Sequence, residues 1–236
     1  MTLALGRIPV AILAGGLGTR LRPAIGERAK VVAEIEGRPF LARLLDQLAA
    51  AGFRDVVLCV GFRADEVEAA LGAAYGPLRL RYAREPAPLG TAGALANALP
   101  LLDAPDVLVM NGDSYCEVDL AAAWTRHRAR GADATLVVVE VADASRYGRV
   151  ELAADDRVVR FAEKQAGAGA GWINAGIYLL ARARLAAIEP GRALSLERDV
   201  MPGWIGSGLF AHRTRGRFID IGTPASYAEA ARFFAG

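Results

Sequence analysis

Residues 13–23 read Leu13-Ala14-Gly15-Gly16-Leu17-Gly18-Thr19-Arg20-Leu21-Arg22-Pro23. They follow an apolar run over residues 8–13 that predicts a first β-strand. Gly15, Gly16 and Gly18 let the backbone turn sharply and approach a ligand closely, because no Cβ stands in the way. Successive free N–H groups in such a loop make an anion-binding concavity, and Arg20 and Arg22 add positive charge beside it. The stretch therefore predicts a phosphate-gripping loop after the first strand. It is not a Walker loop, which needs Gly-x-x-x-x-Gly-Lys-Ser/Thr. It is not the dinucleotide fingerprint either, whose third glycine is replaced here by Leu21. A dinucleotide-dependent oxidoreductase is excluded on that ground.

Composition sets the frame. A chain of 236 residues suits one α/β domain, spanning 1–236, with a substantial core. A formal net charge of +2 is too small to make nucleic acid or an acidic membrane the main partner. Cys59 and Cys116 lack metal-ligand spacing and read as free thiols, as in a reducing cytoplasm. The apolar N-terminus lacks a positive start and runs straight into Gly15-Gly16, so a strand is expected there rather than a signal peptide. No apolar run approaches membrane-spanning length. A cytoplasmic protein with no membrane partner is expected; the oligomeric state is left open, a homo-oligomer included.

Strand-like and helix-like runs alternate, the pattern of an α/β sheet with helices on its faces. Strands are expected at 8–13, 56–60, 78–82, 107–110, Ala134–Val141 and 173–180. Helices are expected at Phe40–Ala51, Ala64–Leu71, 91–99, 121–130 and 225–234. Gly52 supplies a natural stop for the first of these helices. Short β runs surround the turns at Tyr147-Gly148 and Asp155-Asp156, and 166–171 reads as an Ala/Gly loop. His127 and His212 read as surface residues, on a polar helix and in a late basic stretch. Open α/β sheets bind ligands beyond the carboxyl ends of their strands, which is where the glycine loop, Arg20 and Asp113 fall.

Two acids stand out. Asn111-Gly112-Asp113 follows a fully apolar strand, so Asp113 emerges at the sheet edge. Asp220 sits in the late apolar run Phe218-Ile219-Asp220-Ile221-Gly222-Thr223-Pro224, where an unpartnered carboxylate is costly. Two carboxylates converging from distant strands suit Mg²⁺, a hard cation that takes one or two carboxylates plus substrate phosphates.

The string Gly-Gly-x-Gly-Thr-Arg-Leu resembles the signature of the sugar-1-phosphate nucleotidyltransferases. The resemblance continues through Glu85-Pro86-Ala87-Pro88-Leu89-Gly90-Thr91-Ala92-Gly93, Tyr147-Gly148-Arg149-Val150, Phe161-Ala162-Glu163-Lys164, Ile173-Asn174-Ala175-Gly176 and the Asp220 segment. Ordered motifs from residue 8 to about 230 cover nearly the whole chain. The resemblance implies a Rossmann-like fold, a mostly parallel mixed sheet flanked by helices with a small sugar-binding β subregion. It also implies a nucleotide-binding part at about 1–115 and a sugar-binding part at about 116–236. By resemblance, Arg20, Lys30, Asp113 and Asp220 are catalytic, and the two aspartates hold Mg²⁺. Leu13, Ala14, Gly15, Gly16, Gly18, Thr19, Arg20, Glu85, Gly90, Thr91 and Asp113 meet the nucleotide. Gly148, Glu163, Asn174 and Gly176 line the sugar, and Lys164 meets its phosphate. The family's lysine usually sits in Pro-Lys-Pro, whereas here it is Ala29-Lys30-Val31. The chain carries no β-helical acyltransferase extension, so the bifunctional relatives that have one are not expected to be its equivalents.

The implied reaction joins a nucleoside triphosphate to a sugar 1-phosphate and releases pyrophosphate. Uridylyl- and thymidylyltransferases of this kind carry a glutamine where this chain has Glu85. An amide suits the mixed donor and acceptor edge of uracil or thymine. A carboxylate only accepts, and guanine offers adjacent N1–H and N2–H₂ donors, so GTP is favoured over another nucleoside triphosphate. The sugar rests on resemblance alone. The chain looks most like D-glycero-α-D-manno-heptose 1-phosphate guanylyltransferases, which supply GDP-heptose to surface glycans. Mannose 1-phosphate is the alternative, and a uridylyltransferase acting on N-acetylmuramic acid 1-phosphate the third. A non-catalytic nucleotide-sugar sensor is the reading from another class. Loss of Arg20, Lys30 or either aspartate would favour it; all four are present, so the enzyme reading dominates.

Overall fold

Runs of β-branched residues build the centre of the molecule. The computed structural model describes residues 5–162 and 169–235. In chain order the strands are β1 (Val10–Leu13), β2 (Glu34–Ile35), β3 (Arg38–Pro39), β4 (Asp55–Val60), β5 (Ala74–Tyr75), β6 (Leu78–Arg84), β7 (Asp106–Asn111), β8 (Ser114–Cys116), β9 (Ala134–Val141), β10 (Arg149–Leu152), β11 (Val158–Ala162), β12 (Gly171–Ala181), β13 (Leu209–Thr214) and β14 (Phe218–Asp220). The helices are α1 (Arg22–Ile25), α2 (Phe40–Ala51), α3 (Ala64–Leu71), α4 (Gly90–Ala98), α5 (Leu120–Ala129), α6 (Arg182–Ala186) and α7 (Pro224–Ala235).

The main sheet runs β11-β10-β12-β7-β1-β4-β6-β5, with β9 paired to β12 and β13 to β9. Its heart, β7-β1-β4-β6, is parallel. β12 joins β7 antiparallel and begins the second half of the sheet. Strands buried on both faces read as continuous apolar runs, and here their residues divide between two cores. Val10, Ile12, Val56, Leu58, Leu108 and Met110 face one core. Ala11, Val57, Cys59, Val107 and Val109 face the other. Helices α2, α3, α5 and α7 cover the first face, and α4 and α6 the second. The α/β expectation with helices on both faces is therefore what the chain builds.

Local signals account for most element ends. Gly52 closes α2 with φ 94°, a left-handed conformation that suits glycine. Asp119 caps α5 by accepting a hydrogen bond from the Ala122 N–H at 2.9 Å. The first strand begins at Val10 rather than at residue 8, because a short helical turn at Leu5–Arg7 and then Pro9 precede it. β13 was not anticipated, since its apolar residues lie in an arginine-rich stretch. Residues 163–168, which include Glu163, Lys164 and the first half of the Ala/Gly stretch, lie outside the described residues.

One expectation is corrected. His127 and His212 are buried, at 1% and 6% exposure, not at the surface. Leu120, Ala123, Trp124 and His127 recur at helical spacing and form the buried face of α5. The His127 ring stacks on Trp124 at 5.7 Å between centroids, and its Nδ1 lies 2.9 Å from Thr135 Oγ1. The polar outer face of α5 concealed this inner stripe. His212 lies on β13, whose register sets it beside Val137 of β9. Burial lowers both imidazole pKa values, and at His127 the nearby Asp106 carboxylate opposes the shift. Each group thus has a folded pKa below the unfolded value near 6.5. The unfolded chain then binds more protons, and stability falls as pH drops below that value toward the folded pKa. These are the only two histidines. Denaturant unfolding is expected to show a loss of stability between pH 7.5 and pH 5.5, and His127→Gln with His212→Gln should flatten that loss.

Candidate active site

The glycine loop leaves the carboxyl end of β1, flanked by the parallel strands β4 and β7. Ala14 N–H donates to the Cys59 carbonyl at 2.8 Å, which holds the loop's first residue against the sheet. Gly18 has φ 59°, and a Cβ there would meet the Lys30 side chain at 3.2 Å. A Cβ on Gly15 would collide with the Glu85 carboxylate, so glycine is what lets the loop pass so close to Glu85.

Two adjoining cavities open beyond the strand ends. The first, of about 280 Å³, is lined by Leu13, Gly15, Gly16, Glu85, Gly90 and Thr91 among others, and reaches Lys30 and Asp113. The second, of about 340 Å³, is lined by Arg20, Asp113, Tyr147, Asn174, Gly176 and Asp220 among others. Asn111 and Asp113 line both. Ala14 instead turns into the core, and Thr19 is exposed. Gly148 lines a neighbouring hollow that it shares with Asn174.

Asp113 and Asp220 are brought together by a two-stranded ribbon. β8 pairs antiparallel with β14, placing Asp220 opposite Ser114, and the Ile221 N–H donates to the Asp113 carbonyl at 2.9 Å. Gly112 makes the turn out of β7. Its N–H donates to the Leu13 carbonyl at 2.9 Å, and a Cβ there would stand 2.6 Å from that carbonyl oxygen. Lys30 Nζ contacts Asp113 Oδ2 at 2.6 Å, and the lysine side chain is 10% exposed. Asp220 accepts from the Tyr147 hydroxyl at 2.6 Å and from the Gly222 N–H at 2.9 Å. A Cβ built on Gly222 would lie 2.8 Å from Asp220 Oδ1, 3.6 Å from Arg20 Nη2 and 3.7 Å from Lys30 Nζ. Arg20, Lys30 and Asp220 therefore surround one small volume, with Asp113 bonded to the same lysine.

Lys30 does without its flanking prolines. Ala29 and Val31 are buried at 2% and 4% exposure, and the Ala29 N–H donates to Glu66 of α3 at 3.0 Å. Packing and one charge-assisted hydrogen bond fix the turn that proline would otherwise stiffen.

Burial raises the Glu85 pKa, partly opposed by the Leu89 N–H that donates to its carboxylate at 2.9 Å. Burial, then the bond to Asp220, pushes the Tyr147 phenol well up, so it remains a donor to that carboxylate. Both thiols are free, buried and pushed up to about 12, which removes them as nucleophiles. Among the described residues no group of three or more His, Cys, Asp or Glu side chains is placed to hold a metal. The donor set is two carboxylates, all oxygen, which fits a hard cation completed by water and phosphate and does not fit zinc.

Two residues at the site were not singled out from sequence. Tyr147, in the Tyr-Gly-Arg-Val motif, is the hydroxyl partner of Asp220. Asn111 carries a buried Oδ1 with no partner and lines both cavities. An unsatisfied buried acceptor is costly, and the Asn-Gly pair drew attention as a turn instead.

Comparison with known proteins follows the same lines. A family model described as nucleotidyl transferase matches residues 10–235. The chain is 33% identical over 220 residues to a D-glycero-alpha-D-manno-heptose 1-phosphate guanylyltransferase of Aneurinibacillus thermoaerophilus, covering 93% of this chain and 95% of that one. It is 36% identical over 230 residues to a mannose-1-phosphate guanylyltransferase of Mycobacterium tuberculosis, covering 95% of this chain but 64% of the relative. A solved structure of HddC from Yersinia pseudotuberculosis complexed with GMP-PN superimposes with a TM-score of 0.85 at 34% identity, over 96% of this chain and 99% of that one.

The Gly112 turn gives a stability test. Gly112→Ala forces its Cβ against backbone and should cost about 1–3 kcal/mol in urea unfolding. Gly16→Ala, with nothing within 4 Å of the added carbon, should stay within about 0.5 kcal/mol.

Proposed function

Because the chain belongs to the nucleotidyl transferase family, we propose that it transfers GMP from GTP to a sugar 1-phosphate, giving a GDP-sugar and pyrophosphate. The observation that carries this reading is the convergence of Arg20, Lys30 and Asp220 around Gly222, with Asp113 on Lys30. Both reactants are polyanions, so the chief tasks are positioning and charge neutralisation. An oxygen of the sugar 1-phosphate attacks the α-phosphorus, and pyrophosphate leaves with the bridging electron pair. Lys30 draws the attacking phosphate and the α-phosphate together. Arg20 neutralises charge on the pyrophosphate side. Asp113 and Asp220 would hold Mg²⁺, which would supply neutralisation of phosphate charge. Tyr147 holds the Asp220 carboxylate in one orientation through its hydroxyl.

The glycine loop, with Leu13, Ala14, Thr19, Gly90 and Thr91, cradles the nucleotide, and Glu85 accepts from the guanine N1–H and N2–H₂. Its half-burial beside Gly15 supports that role, since a solvent-facing acid discriminates little. Asn174, Gly176, Gly148 and Glu163 take the sugar, with Lys164 on its phosphate. The nucleotide-binding part is about 1–115 and the sugar-binding part about 116–236. The sugar is D-glycero-α-D-manno-heptose 1-phosphate; nearly the full length of the heptose relative has a counterpart here. Mannose 1-phosphate is the second reading, favoured by the 36% identity to a mannose relative, of which the chain spans less than two thirds. Among the described residues no helix is long and apolar enough to cross a membrane, and we place the reaction in the cytoplasm.

Pyrophosphate release with Mg²⁺ tests this directly, pairing GTP, UTP, dTTP, CTP and ATP with heptose 1-phosphate and mannose 1-phosphate. Release with GTP and the heptose is expected. Asp113→Asn and Asp220→Asn should each lower kcat at least about a hundredfold while folding is retained. Release with UTP or dTTP alone would overturn the role of Glu85, and full activity in either aspartate variant would overturn the metal assignment.

A further inference from the structure

A chain of side-chain hydrogen bonds runs from Thr91 at one cavity to Asn174 at the other through Glu197 and Tyr178, to which the proposed reaction gives no role. Glu197 lies just inside a short helical turn at Leu196–Val200. Its Oε2 accepts from the hydroxyls of Thr91 at 2.9 Å and Ser195 at 3.0 Å. Its Oε1 accepts from the Tyr178 hydroxyl at 2.8 Å. Tyr178 in turn accepts from Asn174 Nδ2 at 2.8 Å, and Asn174 Oδ1 accepts from the Gly176 N–H at 2.8 Å. Thr91 lines the first cavity and Asn174 the second. Tyr178 is fully buried and lines neither.

The backbone holds both ends of this chain in place. The Ala92 N–H donates to the Leu194 carbonyl, and the Leu194 N–H to the Leu89 carbonyl, each at 2.9 Å. The Leu196 N–H donates to Thr91 Oγ1 at 2.7 Å. Gly90 and Gly93 lie so close to residues 192–194 that a Cβ on either would strike backbone. At the other end, the pairing of β12 with β9 shifts register between Asn174 and Tyr178, which interrupts the ladder at Asn174. Among the described residues Glu197 forms no ion pair, so its charge rests on hydroxyl donors. That is an expensive way to keep an acid half-buried, where a glutamine of the same shape has no charge to desolvate. What the carboxylate alone offers is acceptance from three hydroxyls at once, which fixes the direction of every bond in the chain.

We infer that Glu197 is a positioning residue that couples the two substrate cavities: it orients Thr91 at the nucleotide and, through Tyr178, Asn174 at the sugar. The inference rests on the nucleotide site proposed above. Its consequence is that the buried phenol of Tyr178, which touches neither cavity, affects nucleotide affinity through Glu197.

Isothermal titration with a non-hydrolysable GTP analogue tests it on wild type, Tyr178→Phe, Glu197→Gln and the double variant, with melting temperatures measured alongside. Loss of one or two hydrogen bonds should raise the analogue's Kd about threefold to tenfold in each single variant. The double variant should be no weaker than Glu197→Gln alone, because Tyr178 acts through Glu197. Steady-state kinetics should show KM for GTP rising in Tyr178→Phe with kcat within about twofold. If the singles melt lower but bind the analogue as wild type does, the chain is merely structural and the inference fails. Additive effects in the double variant overturn it too, since Tyr178 would then act by another route. If wild type itself does not bind the analogue, the proposed nucleotide site fails and takes the inference with it; wild-type binding with unaffected variants sinks the inference alone.

Discussion

The pairing of Ser114–Cys116 with Phe218–Asp220 is the contact on which the site depends. Each strand has three residues, too few to be stable alone. Their surroundings supply what the ladder lacks. Tyr115 packs edge-on against Phe233 and Phe234 of α7, with centroids 6.0 Å and 5.1 Å away. Arg217 meets Glu117 at 2.7 Å, and Gln47 Nε2 donates to the Cys116 carbonyl at 2.8 Å. The C-terminal helix thus clamps the ribbon that carries one aspartate to the other, and Gln47 of α2 ties down its Cys116 end. Damage to α7 should reach the chemistry by way of this ribbon rather than by direct contact.

Charge then explains the arrangement of the neighbours. Two carboxylates held close repel each other and raise the free energy of the empty site. Lys30, Tyr147 and the Gly222 N–H each take one of their oxygens, which offsets part of that cost and leaves capacity for a cation. Arg20 adds positive charge from the glycine loop at the same cavity. The hydrogen bonds from Lys30, Tyr147 and Gly222 orient the two carboxylates, and such fixed orientation is the condition for electrostatic preorganisation. The site sits at the carboxyl ends of parallel strands because only there do β1 and β7 deliver two loops to the same place.

Much of this was legible in the sequence. The glycine loop, the apolar runs ending at Leu13 and Met110, and the acid in a late apolar run all point to one sheet edge. The ends of helices α2 and α3 are readable because Gly52 and Gly72 follow their last apolar positions. What escaped depended on partners distant in sequence. His127 looked solvated because its helix is mostly polar, and only the packing of α5 on β9 and β13 shows its inner stripe. β13 was masked by the arginines in and beyond it. Tyr147 gained its meaning from a carboxylate far along the chain, and Glu197 from the hydroxyls of Thr91 and Tyr178 on two other segments. Alternation and spacing report which way a residue faces within its own element. They do not report what another element brings opposite it.

The central claim is that Asp113 and Asp220 form a single cation site that is completed by substrate phosphate. Anomalous diffraction from crystals grown with Mn²⁺ and a non-hydrolysable GTP analogue addresses it most directly, since Mn²⁺ shares the oxygen preference of Mg²⁺. The account predicts one strong peak in the cleft, within bonding distance of carboxylate oxygens of both Asp113 and Asp220 and of a phosphate oxygen. A peak bound to only one aspartate, or nucleotide bound with no metal at the ribbon, would contradict it.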